Sequence, residues 1–114
     1  MVDYYSEFVE LSLQQCTKNS YIEKEKVKKH NIATKKLHQL QMEMRQNVSE
    51  DTLFELLHHK DDRVKINAAN FCLQSKILIE QSILTLEKII AVSNDSTICF
   101  SAKMLLEKYM KNHI

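Results

Sequence analysis

The chain has 114 residues, 44% of them hydrophobic and 27% charged, which suits one soluble globular domain and excludes both a disordered chain and a membrane span. Lys and Arg total 16 against 15 Asp and Glu, so a net charge of +1 supplies no global field for nucleic acid or anionic lipid. There is no Gly and no Pro, where average usage would place roughly eight and six, and this removes the glycine-dependent phosphate loops, dinucleotide fingerprints and nucleophile elbows.

A chain without either residue is expected to run helix after helix, over roughly 75–80% of its length, with Asn, Asp and Ser at the caps and turns. Six segments carry helical spacing of apolar residues. Asp3 caps a helix of about 4–17 with Tyr4, Val9, Phe8 and Leu11 inward. Ser20 caps a longer one of about 21–46, in which Ala33, Leu37, Leu40 and Met44 form the inward stripe. Ser49 or Asp51 opens a short helix with Leu53, Leu56 and Leu57, and Asp61 or Asp62 opens a fourth of about 63–76. Ile79, Ile83, Leu86 and Ile90 mark the fifth, while Asn94 or Asp95 opens the sixth, with Ile98, Ala102, Leu105, Leu106 and Tyr109 on one stripe. Connections of a few residues make successive helices antiparallel neighbours.

In the fourth segment Val64, Ile66, Ala68, Ala69, Phe71, Cys72 and Leu73 cover more than half the circumference, leaving Arg63, Asn67, Asn70 and Gln74 on a narrow polar strip. A helix of that kind has to be covered on several sides. A shift of 33 residues lays Leu53 on Leu86, Leu56 on Ile89, Leu57 on Ile90, Asp62 on Asp95, Ala69 on Ala102, Cys72 on Leu105 and Leu73 on Leu106. A period of that size marks stacked helical hairpins. It favours a single domain over 1–114, all-α, built as a short right-handed α-solenoid of three hairpins, over a plain four-helix bundle.

The stretch LLHHKDDRVKINAANFCL at 56–73 resembles the HEAT-repeat consensus, with an acidic turn at Asp61-Asp62, then Val64, Lys65 and Ala68-Ala69. The order KKHNIATKKL at 28–37, this core, ILTLEKII at 83–90 and SAKMLLEKYM at 101–110 is similar to a small bacterial HEAT-like (armadillo-type) domain of unknown function, the family numbered two thousand and nineteen. The likeness spans about residues 3–110. Tyr109 stands where that family often has Trp, and its usual Pro before the fifth helix is missing. The resemblance implies a fold, no cofactor and no catalytic residue. Similar small HEAT-like proteins are encoded beside secreted bacterial toxins as antidotes, so it also implies an immunity role as one form of function.

Several constellations are weighed against plainer roles. His58, His59, Asp61 and Asp62 offer four potential metal ligands, but neighbours on a turn point apart, and turn and cap chemistry accounts for them. Cys16, Cys72 and Cys99 have no CxxC spacing and are expected as reduced core thiols. His30, His38 and His113 have no spacing relation to a thiol or hydroxyl that a nucleophilic mechanism needs, so no enzyme is expected. The one basic concentration, Lys24 to Lys36, is interrupted by Glu25 and has only Tyr21 nearby to stack on a base, which reads as a solvated helix face before it reads as a nucleic-acid contact.

The expected function is therefore a non-catalytic protein-interaction module in the cytoplasm, with no metal, no cofactor and no membrane contact. The alternative is a HEAT-like protein that contacts nucleic acid. The residues expected to face a protein partner are the strip Arg63, Asn67, Asn70 and Gln74, together with Asn31, Lys35 and His38 of the second helix. Phe100 and Met104, an apolar pair among Lys103, Glu107 and Lys111, are expected opposite the sixth helix's buried stripe and suit a partner or a second copy of the chain.

Overall fold

With neither Gly nor Pro to punctuate it, the chain starts four of its described helices with short polar side chains. The structure, a computed structural model, describes residues 3–14 and 24–112, with side chains for 3–14 and 32–111. The described residues form six helices and no strand: α1 (Tyr4–Gln14), α2 (Lys24–Asn47), α3 (Glu50–Leu57), α4 (Asp62–Ser75), α5 (Ile79–Val92) and α6 (Ser96–Asn112).

Before α1, the Asp3 carboxylate accepts the Ser6 hydroxyl at 2.8 Å and the Ser6 amide at 3.2 Å, and these bonds hold its pKa below the usual carboxylate range. Ser49 accepts from the Thr52 amide at 3.3 Å and starts α3. Asp61, rather than Asp62, caps α4 by accepting from the amides of Arg63 (2.8 Å) and Val64 (3.4 Å). Asp95, rather than Asn94, does the same for α6 through Thr97 (2.9 Å) and Ile98 (3.3 Å). Each such cap contributes about 1 kcal/mol. Ser20, expected to cap the second helix, lies outside the described residues, as does Cys16.

Helix α4 is the centre of the packing. All seven of its expected apolar side chains are buried, and α1, α3, α5 and α6 all lie against it. The helices pair in chain order, α1 with α2, α3 with α4, and α5 with α6. Between pairs, α3 lies beside α5, α4 beside α6, and α1 against both α3 and α4, while α2 has its substantial packing on α1. Phe8 of α1, the stripe Ala33, Leu37, Leu40 and Met44 of α2, and Leu53, Leu56 and Leu57 of α3 are all buried. The Cα radius of gyration of 13.9 Å is close to the ~13 Å of a compact domain of about 100 residues, so three successive hairpins close on one core instead of extending as a long superhelix.

The absence of Gly leaves a mark between α4 and α5. The Ile77 amide donates to the Cys72 carbonyl at 2.9 Å and the Lys76 amide to that of Leu73 at 3.4 Å, the Schellman pattern that ends helices. That pattern needs a left-handed residue, and Lys76 takes the place usually held by Gly, with φ 59°. Two residues on, Leu78 is left-handed as well (φ 49°) and precedes α5 with no side-chain cap. A left-handed residue with a Cβ costs roughly 1–2 kcal/mol, so the short α4–α5 link is held by packing of Ile77 and Leu78 against the core. Lys76 is exposed, and Lys76→Gly should raise the urea-derived unfolding free energy by about 0.5–1 kcal/mol. Leu78→Gly should lower it, because the leucine's packing is lost; a destabilised Lys76→Gly would contradict the strain at this link.

Candidate functional site

At 100° per residue Arg63, Asn67, Asn70 and Gln74 share one side of α4, and what lies against that side decides its use. At Asn67 it is α1: the Asn67 side-chain amide donates to the Ser12 hydroxyl at 2.9 Å, and Ser12 is fully buried. Arg63 and Asn70 are half-buried, and only Gln74 of the strip is exposed. On α2, Lys35 and His38 are exposed, while the side chain of Asn31 lies outside the described residues. The helix that closes over α4 here is α1. The polar strip therefore holds a tether to α1 at Asn67, and Gln74 marks its open end.

The tether had a signal in the sequence. Tyr4, Phe8 and Ser12 step by four along α1, so Ser12 falls on the inward face, where a buried hydroxyl requires a partner. A strip of polar residues on an otherwise apolar helix reads as solvent-facing unless that requirement is followed through.

The turn between α3 and α4 holds its histidines in local bonds. His58 Nδ1 donates to the Phe54 carbonyl at 2.8 Å, and the two rings lie 4.3 Å apart at 30°. His59 Nδ1 accepts from the Asp61 amide at 3.0 Å, and its ring lies 6.3 Å from that of Tyr5. Asp61 caps α4 and Asp62 approaches Lys65 at 3.7 Å. Among the described residues no group of three or more His, Cys, Asp or Glu side chains is placed to hold a metal ion. Burial pushes the Cys72 thiol up to about 11, against a smaller opposing hydrogen bond with Ser82, so it stays protonated and unreactive at neutral pH. The half-buried Cys99 thiol donates to the Ser93 carbonyl at 3.3 Å.

Two other surfaces stand out. On α6, Ala102 is fully buried while Phe100 and Met104 remain 65% and 51% exposed, facing away from the stripe Ile98, Ala102, Leu105 and Tyr109. Between α3, the first turn of α4 and α5 lies a groove of about 300 Å³ lined by Leu57, His58, Lys65, Gln81, Leu84, Thr85 and Lys88. A second groove of about 340 Å³ runs between α1 and α2, where Glu7, Glu10 and Glu43 face Lys36 over Leu11 and Leu40.

Compared with known proteins, the chain matches no family profile, no curated sequence and no solved structure.

The tether between Ser12 and Asn67 is open to a double-mutant cycle. Ser12→Ala and Asn67→Ala, alone and together, should show a coupling energy of about 0.5–1.5 kcal/mol in urea melts. Coupling near zero would put the Asn67 amide in solvent and return the whole strip to the surface.

Proposed function

We propose that the chain is a HEAT-like stack of three helical hairpins that works by binding another protein and performs no reaction of its own. The stacking part draws support from the 33-residue offset. Leu53 and Leu86, Leu56 and Ile89, and Ala69 and Ala102 are buried at corresponding places in the α3–α4 and α5–α6 hairpins. Asp61 and Asp95 cap the second helix of each pair, one residue off the 33-residue register, in which Asp95 falls on Asp62. First helix lies beside first helix (α3, α5) and second beside second (α4, α6), the neighbour pattern of helical repeats.

The observation that carries the binding part is the outward face of α6. The last helix of a repeat stack ordinarily turns a polar face to water. Here Phe100 and Met104, one turn apart, interrupt a face otherwise made of Lys103, Glu107 and Lys111. Phe and Met on a charged rim are the composition of a protein contact, because the apolar centre supplies the buried area and the charges set the partner's orientation. An antidote to a bacterial toxin, acting in the cytoplasm, is the form of this function that the sequence resemblance favours. No helix among the described residues is long and apolar enough to cross a membrane.

Phe100→Asp tests the reading. Because the side chain is exposed, the unfolding free energy should move by no more than about 0.5 kcal/mol. A photoreactive side chain in place of Met104 should crosslink a protein partner in the native cell, or a second copy of the chain, and Phe100→Asp should weaken that complex at least ~10-fold. Unchanged sedimentation together with unchanged affinity for the crosslinked partner would make the pair ordinary surface and remove the support.

A further inference from the structure

The groove between α3 and α5 joins apolar and basic chemistry in a way the fold does not require. Leu57, almost wholly buried at the end of α3, closes its base. Leu84 stands on its α5 side at 64% exposure, and Phe54, 46% exposed, has its ring 4.3 Å from that of His58, which lines the groove. Leu84 and Lys88 lie one turn apart on α5, so an apolar and a cationic side chain point the same way. Lys65 reaches the groove from the first turn of α4.

Among the described residues no carboxylate lines this groove. Among the described residues, the ion pair at its cations is Lys65 with Asp62, an i,i+3 pair at 3.7 Å whose side chains are 26% and 36% exposed, and at that distance it contributes little. The volume lies at the bottom of the ~300–1,000 Å³ range of small-molecule sites, which fits one anchoring side chain better than a cofactor. A site that read phosphates would want more cations and less apolar surface.

We propose that this groove receives an acidic amphipathic segment of a partner protein, whose apolar anchor packs on the exposed Leu84 above the buried Leu57 while its carboxylates meet Lys65 and Lys88. The proposal rests on the protein-binding reading above for the kind of partner, and it does not use the α6 face. The docking mode is a helix or strand laid in a groove: the apolar contact supplies affinity and the two lysines select for negative charge.

The test uses the full chain and three fluorescein-labelled probes: a peptide built on the repeat Glu-Leu-Leu-Glu, its lysine counterpart, and a short DNA duplex. The acidic peptide should bind saturably and the lysine peptide should not. Lys65→Glu with Lys88→Glu, and separately Leu84→Asp, should each weaken the acidic peptide at least ~10-fold at an unaltered melting temperature, while Phe100→Asp should leave its affinity unchanged. Should the double charge reversal fail to fold, Lys65→Gln with Lys88→Gln carries the same prediction. The proposal is overturned by no saturable binding of the acidic peptide, by equal binding of both peptides, or by tighter binding of the duplex that falls steeply with salt and is lost in the lysine variants. Loss of peptide binding in Phe100→Asp alone would also overturn it, by placing the contact on α6, and would leave the protein-binding reading standing.

Discussion

The structure depends on the need to enclose α4. A 14-residue helix with seven buried apolar side chains spread over most of its circumference has no stable solution at a surface. Each large aliphatic or aromatic side chain it removes from water stabilises the fold by about 1.5–3 kcal/mol, so exposing any flank would cost a sizeable part of a domain's net stability. Four helices meet that demand, α1, α3, α5 and α6. Enclosure also explains the Asn67 to Ser12 bond: once α1 closes over the strip, a half-buried amide needs a partner, and the neighbouring helix provides a hydroxyl at 2.9 Å.

Enclosure on four sides requires sharp connections, and the chain makes them without Gly. Asp and Ser side chains start helices at Asp3, Ser49, Asp61 and Asp95, and the α4–α5 link turns through left-handed Lys76 and Leu78. That link joins the central helix to the first helix of the last hairpin. Its strain is tolerable because Ile77 and Leu78 pack inward, so the turn is held by the core it helps to close. Two buried serines follow the same economy: Ser82 satisfies its hydroxyl on the Leu78 carbonyl at 2.9 Å, within the turn that left-handed Leu78 begins, and Ser12 takes the Asn67 amide.

Periodicity made most of the fold legible. The apolar stripes of α2, α3 and α4 were readable residue by residue, because one side of each helix buries against a neighbour and the 3.6-residue period records it. The cap pairs were legible only as alternatives, since Asp61 and Asp62, or Asn94 and Asp95, offer the same chemistry one residue apart and backbone geometry decides. The end of α4 was placed to within a residue, at about 76 against Ser75, but the way it ends was not legible: no propensity scale would place a lysine in a left-handed turn. Of the candidate site, Phe100 and Met104 were found by their position opposite a buried stripe, whereas the groove of Lys65, Leu84 and Lys88 was not, because it is assembled from three helices and has no spacing in the chain. Asn67 was misleading for the complementary reason, since its neighbour is 55 residues away.

Native-state hydrogen exchange measures the central claim directly, because it reports the free energy at which each helix opens. If enclosure of α4 holds the domain together, the amides from Ile66 to Leu73 should exchange only through global unfolding, with free energies equal to that from denaturant melts. Exchange of those amides well below the global value, while α5 and α6 stay protected, would show that α4 can leave without the rest and would contradict its role as the enclosed centre.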